Sequence, residues 1–157
     1  MNSDVKVRRF QASDLETVLK LHREGLQQTS SYAQDRQFDA DLSDIPTNYF
    51  HGGEFLIALK DDSIVGMGAI RKIDQATAEI KRMRVVAAWQ RKGIGAYILQ
   101  ILIKRAKDLG YHRVILDTTI NMIAAQHLYE KHGFREYKRG EIAGMDCIFY
   151  SLDLPME

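Results

Sequence analysis

Cysteine is almost missing from this chain. Cys147 stands alone among 157 residues, so no internal disulfide framework holds the fold, and a single thiol suits a reducing cytoplasm. Long apolar runs are missing too. None reaches the ~18 residues that a membrane-spanning helix needs, and Met1-Asn2-Ser3-Asp4-Val5-Lys6 lacks the apolar region of an export signal. The expectation is a cytoplasmic protein with no membrane partner. Nor does one sign of charge dominate. With 22 basic against 21 acidic residues the net charge is +1, which creates no global field to recruit nucleic acid or an anionic membrane. Metal-ligand spacing is absent among the histidines: His127 and His132 do not share a helix face, and His22, His51 and His112 stand alone. No metal is expected. No Gly-x-x-x-x-Gly-Lys-Ser/Thr occurs, which excludes a nucleoside-triphosphate P-loop.

What is present is a regular alternation of short elements. Val5 to Phe10 alternates like a strand, and Asp14 precedes the helical pattern Leu15, Val18, Leu19, Leu21, His22. Periodicity fades between Thr29 and Asp41, and a second short helix is expected from Phe38 to Phe50, limited or kinked by Pro46. Phe55 to Leu59 and Ile64 to Ile70 read as strands joined by a hairpin at Asp61-Asp62. A third strand runs from Ala78 to Val86. Ile94, Ile98, Ile101, Leu102 and Leu109 mark one face of a helix that stops at Gly110. Val114 to Asp117 is a strand and Met122 to His132 a helix. Phe134 to Lys138 and Asp146 to Leu154 are strands flanking a loop at Gly140 to Gly144. The order is β-α-α-β-β-β-α-β-α-β-β. No repeat or linker divides residues 1–157, which read as one domain, and a chain of this length buries about 70% of its unfolded surface.

The most informative stretch is Gln90-Arg91-Lys92-Gly93-Ile94-Gly95, followed by Ala96, where a strand hands over to a helix N-terminus. The first N–H groups of a helix lack intrahelical partners and carry partial positive charge. Two glycines let a ligand approach the backbone, and Arg91 and Lys92 add full charges. This suits a phosphate cradle, although a solvated strand–helix turn would give the same hexapeptide. A dinucleotide fold is disfavoured. Position 98 is Ile, where a third small residue is needed, and Glu79, Lys81, Arg82 and Arg84 make the preceding strand too polar for a central parallel one. A nucleic-acid site built from Lys81, Arg82, Arg84, Arg91 and Lys92 lacks an interleaved aromatic platform.

Three segments occur in order: Glu79-Ile80-Lys81-Arg82-Met83-Arg84-Val85, the Gln-Arg-Lys-Gly-Ile-Gly loop, and Leu128-Tyr129-Glu130-Lys131-His132-Gly133-Phe134. Together they resemble the GNAT superfamily of N-acetyltransferases, whose loop pattern is Gln/Arg-x-x-Gly-x-Gly/Ala. The resemblance implies an α/β (α+β) single domain with a mixed, mostly antiparallel sheet of about seven strands and four helices. A splayed pair of parallel strands would open the cofactor cleft. It implies acetyl-coenzyme A as cosubstrate and no metal. The reaction would be acetyl transfer to a primary amine of a small molecule, peptide or protein, by direct attack in a ternary complex. A non-catalytic acetyl-coenzyme A-binding regulatory module is the alternative. Homodimers are common in the family.

The same resemblance assigns candidate residues. Gln90, Arg91, Lys92, Gly93, Ile94, Gly95 and Ala96 would hold the pyrophosphate, and the backbone of Met83 and Val85 would pair with the pantetheine arm; both side chains also suit the core. Asn121 would contact the cofactor or cap the following helix. Glu79 is the candidate general base, with an exposed pairing to Lys81 or Arg82 as the alternative. Tyr129 is the candidate acid for the leaving thiolate, with core packing as the alternative. Cys147, in the alternation Cys147-Ile148-Phe149-Tyr150, reads as a packed strand residue. Tyr32, Phe38, Tyr49 and Phe50, with Asp35, Asp39, Asp41 and Asp44, fall where this family borders its acceptor site. They form either an acidic rim for a cationic amine or a solvated helix face.

Overall fold

A computed structural model describes residues 4–28 and 36–155. Its elements are β1 (Val5–Arg9), α1 (Leu15–Gln28), α2 (Ile45–Tyr49), β2 (Glu54–Lys60), β3 (Ser63–Lys72), β4 (Thr77–Val85), α3 (Ile94–Asp108), β5 (Arg113–Thr119), α4 (Ile123–Lys131), β6 (Arg135–Ile142) and β7 (Met145–Asp153). The strands form one seven-stranded sheet in the order β1-β2-β3-β4-β5-β7-β6. Every neighbouring pair is antiparallel except β4 with β5. The expected fold class and element order are therefore those of the protein.

Two local expectations change. The single helix over Phe38 to Phe50 is a 3-10 segment, Arg36–Ser43, followed by the short α2. Pro46 sits in the first turn of α2, where its missing N–H has no partner to lose, so it starts the helix instead of kinking it. The loop expected over Gly140 to Gly144 shrinks to a tight turn at Ala143-Gly144. Gly140 stays in β6, paired with Cys147.

Each face of the sheet has its own core. On one side α3 contributes Ile94, Ile98, Leu99, Leu102 and Ala106 against Ala78, Ile80, Val114 and Leu116. On the other, Val18, Leu21, Ile45 and Tyr49 of α1 and α2 cover Phe55, Ile57, Met67 and Ala69. Strand alternation fixes which residue meets which side.

β4 breaks that alternation, as the β2–β3 and β6–β7 pairs do at register shifts of their own. Ala69 faces Lys81 and Met67 faces Arg84, so Arg82 and Met83 together oppose Gly68 alone. This is a β-bulge, with Arg82 in the left-handed region at φ 61°. The extra residue resets the faces. Ile80 lies in the α3-side core, and Met83 and Val85 pack against that same core, while Lys81 and Arg82 are consecutive on the other side.

The bulge also coincides with the end of parallel pairing. β4 and β5 pair only at Thr77–Arg113, Ala78–Val114 and Glu79–Ile115. Past Glu79, β4 follows β3 while β5 continues along β7 as far as Thr119–Cys147. A fork opens in the middle of the sheet.

Gly68 makes room for this arrangement. A Cβ there would lie 2.5 Å from Met83 Sδ and 2.7 Å from Ile98 Cγ2. Gly68→Ala should therefore destabilise the protein by about 1–3 kcal/mol through overpacking. Urea unfolding should show a lower midpoint with an unchanged slope; an unaltered midpoint would mean that the bulge side of α3 is loosely packed.

Candidate active site

The fork is the mouth of a cleft of about 490 Å³, walled by β4 past Glu79, β5 from Leu116 to Thr119, α4 at Ala125 and Tyr129, and the β6–β7 turn. His22 of α1 reaches its lining. The two faces of the sheet give the cleft two chemistries.

On the α3 side lies the Gln90 loop. Arg91 (φ 64°) and Gly93 (φ 84°) are both left-handed, and such alternation turns successive N–H groups toward one concavity. Gly93 is the N-cap of α3 and offers no side chain to the first turn. The N–H groups of Ile94, Gly95 and Ala96 thus receive no side-chain cap from it. Gln90, Arg91, Lys92 and Gly93 are exposed, and Lys92 Nζ lies 5.7 Å from the Trp89 ring centre. A Cβ on Gly95 would sit at ordinary contact distance, 3.6 Å from Leu128 Cδ2 and 3.8 Å from Val85 Cγ2. The loop residues named from sequence therefore do converge at one helix N-terminus beside β4. Met83 and Val85 lie next to them, and their carbonyls accept hydrogen bonds from Arg84 Nη1 (2.8 Å) and Gln90 Nε2 (3.0 Å).

Tyr129 lines the cleft from α4 and is 6% exposed. Its ring packs edge-on against Phe134, with centroids 5.9 Å apart. Burial lifts its pKa to about 12; Arg84 opposes this rise and Asp117 adds to it. The phenol stays protonated at ordinary pH, as a proton donor must. Core packing and donation are compatible here.

Asn121 does not cap α4. The N-cap is Met122, which makes no side-chain cap, and Asn121 Oδ1 accepts instead from Thr119 Oγ1 at 2.6 Å. Asn121 is exposed beside the cleft and is absent from its lining. Cys147 is a buried strand residue as expected, and burial raises its thiol pKa, which is unfavourable for a nucleophile.

On the α1–α2 side the cleft is polar. Glu79 pairs with neither Lys81 nor Arg82. Its carboxylate accepts from Arg71 Nε at 2.9 Å, the residue directly across from it on β3. Arg82 instead forms a buried ion pair with Asp41, which also accepts from the Tyr49 hydroxyl. Of the expected acidic rim, Asp41 and Asp44 are structural. Asp41 holds the bulge, and Asp44 caps α2 by accepting from the Thr47 N–H and hydroxyl. Tyr49 is fully buried, and Phe50 lies beneath Arg9. The side chains of Phe38 and Asp39, and all of Tyr32 and Asp35, lie outside the described residues.

Sequence reading missed Asp117 and Arg71 as members of this face. Lys81 entered it only as a partner for Glu79. A signal existed for Asp117: the apolar run Val114-Ile115-Leu116 turns polar at Asp117-Thr118-Thr119, where the strand leaves its partner. No local signal exposes Arg71, whose role comes from cross-strand register.

The family model for the acetyltransferase (GNAT) family matches residues 15–134. A relative in Bacillus subtilis, named uncharacterized N-acetyltransferase YsnE, is 37% identical over 83 residues, which are 52% of this chain and 55% of that protein. The chain spans about half the length of the first curated relatives it matches. A GNAT-family acetyltransferase structure from Staphylococcus aureus Mu50 superposes with a TM-score of 0.88 at 26% identity, covering 96% of this chain and 99% of that one. The structure of yncA from Salmonella typhimurium with its cofactor acetyl-CoA has the same fold, with a TM-score of 0.81 at 21% identity over 99% of this chain and 96% of that one.

The Asp41–Arg82 pair generates a stability prediction. Burial disfavours the Asp41 carboxylate, but the hydrogen bonds and charge of Arg82, with Tyr49, overcome it and leave the pKa below the ordinary carboxylate value. Asp41→Asn leaves Arg82 buried without its counter-charge and should cost about 3–5 kcal/mol at neutral pH. Because the folded pKa is depressed, the stabilisation is complete above the unfolded value of ~3.9 and is lost as pH falls through the folded one. Urea midpoints of wild type and variant should therefore converge below about pH 4; a constant gap would place the stabilisation elsewhere.

Proposed function

The chain belongs to the acetyltransferase (GNAT) family, and we propose that it transfers an acetyl group from acetyl-coenzyme A to a primary amine. The observation that carries this reading is the fork itself. It brings an open strand edge and a buried phenol together in one cleft, with a helix N-terminus suited to phosphates alongside at Val85.

Each part has a chemical task. The N–H groups from Arg91 to Ala96, with the charges of Arg91 and Lys92, bind the pyrophosphate. The main chain of Met83 and Val85 receives the pantetheine arm at the opened edge of β4, Gln90 stands between that edge and the pyrophosphate loop, and Asn121 flanks the cleft. When bound, acetyl-coenzyme A supplies a thioester carbonyl. Main-chain pairing along β4 would aim that carbonyl at the polar face. Tyr129 approaches from the α4 side, where its protonated hydroxyl donates to the departing sulfur. An amine entering from the α1–α2 side meets the carboxylates of Glu79 and Asp117, either of which can accept the ammonium proton. A small-molecule amine or a peptide amine suits so open a mouth.

Two substitutions test the assignment. Gly95→Val places branched methyls where the ligand must pass, while a Cβ there disturbs nothing in the free protein. Calorimetry should show weaker coenzyme A binding with an unchanged melting temperature; unchanged affinity would move the pyrophosphate away from this helix.

Tyr129→Phe removes one hydroxyl and keeps the ring packing. It should lower kcat by at least ~10-fold, within the range of general acid catalysis, with little change in the acetyl-coenzyme A KM. Thiol release across amino acids, polyamines, aminoglycosides and peptide N-termini is the assay. An unaltered kcat with chemistry rate-limiting would return Tyr129 to a packing role. Binding without amine-dependent release would instead favour a regulatory acetyl-coenzyme A module.

A further inference from the structure

The polar side of the cleft holds two carboxylates, and only one is engaged. Glu79 is held by Arg71 at 2.9 Å, and its side chain is 15% exposed. Asp117 lies two residues beyond the fork on β5. Val114 and Leu116 point into the α3-side core, so Asp117 projects to the opposite face, the one that carries Glu79 and Lys81. Among the described residues the Asp117 carboxylate makes no hydrogen bond and no ion pair, and it is open to the cleft.

The groups around it come from every packed element. Glu79, Lys81 and Arg82 face it from β4 and Arg71 from β3. Cys147 of β7 and Tyr129 of α4 feel its charge, and His22 of α1 lines the same space. Enclosure by the cleft walls, followed by the Glu79 charge, pushes its carboxyl above the ordinary range, against the pull of Lys81, Arg71 and Arg82. Proton affinity raised in this way favours a base over a mere counter-charge.

We propose that Asp117 is the group that takes the proton from the acceptor ammonium, while Glu79, fixed on Arg71, is a positioning residue beside it. The inference rests on the acetyl-transfer reading above. Asp117 accepts one proton from R–NH3+, which leaves R–NH2 with a free lone pair. That pair forms the C–N bond at the thioester carbonyl, and the carbonyl π electrons move to oxygen. Collapse breaks the C–S bond. Tyr129 gives its proton to the sulfur and is reprotonated by the second nitrogen proton of the adduct. Asp117 then releases its proton to water, so that the net change is amide, thiol and one proton.

Two readouts test this. Carboxyl-carbon NMR titration of the full chain should show Asp117 titrating above the ordinary ~3.9, and Glu79→Gln should move that titration downward by removing its neighbour's charge. With an accepted amine, Asp117→Asn should lower kcat about 100-fold at neutral pH and recover part of the rate at high pH, where the amine is already neutral. Acetyl-coenzyme A affinity should be kept. Glu79→Gln should retain the wild-type shape of the pH–rate profile, with its acid limb displaced toward lower pH as the Asp117 titration moves. Asp117→Ser serves as the second variant if the amide form does not fold. A profile of Asp117→Asn parallel to that of wild type, or an ordinary carboxyl titration for Asp117, overturns the proposal and leaves the acetyl-transfer reading standing. Absence of thiol release with every amine removes that reading and the base together.

Discussion

The bulge at Arg82-Met83, and the ion pair that holds it, is the constraint from which the rest of the site follows. A non-glycine residue at φ 61° is strained backbone. Here the guanidinium of that residue is tied down by Asp41, which is itself held by Tyr49 from a core helix. The chain before α2 therefore fixes the curvature of a strand about forty residues later. Because the bulge turns β4 away, pairing with β5 ends at Glu79 and the sheet opens. Without the opening there is no cleft.

The same extra residue sorts the chemistry. Simple alternation from Ile80 would send Arg82 and Arg84 toward α3 and Met83 toward α1. The bulge reverses this, bringing Met83 and Val85 to the face that adjoins the α3 N-terminus and keeping Lys81 and Arg82 on the other. The cofactor side of the fork is thereby apolar along the strand and electropositive only at the helix start. The acceptor side is ionic. One inserted residue thus separates the face proposed to receive a thioester from the face proposed to manage a proton.

This logic also divides what the amino-acid order reveals from what it conceals. The loop from Gln90 to Ala96 was legible because its chemistry is local: two glycines, two cations and a helix start within seven residues. The strands and long helices were legible for the same reason, since periodicity is a property of neighbours. The partners of Glu79 and Asp41 were not. Local pattern offers partners only within β4 or at a solvent rim. Arg71 meets Glu79 through hairpin register, and Arg82 meets Asp41 only because a bulge rotates it there. Asn121 shows the converse. A residue well suited to capping lost that role because the N-cap falls one residue later, at Met122.

The ionic face has an electrostatic consequence for its visitor. Arg71, Lys81, Arg82 and Arg84 stand with Glu79, Asp41 and Asp117 in a partly desolvated setting. Lys81 reports how such a setting treats an ammonium. Burial, then the neighbouring Arg71 and Arg82, push its pKa below the ordinary lysine value, although Glu79 and Asp41 pull it back. A substrate ammonium entering beside Lys81 would lose water in the same way and meet the same guanidinium groups. Its own proton would be held less tightly than in solution. A base at the proposed position would then face an easier task than the free amine's pKa suggests. In this way the cations of the cleft, which at first sight repel a positively charged acceptor, would help to convert it into the neutral nucleophile under the proposed reaction.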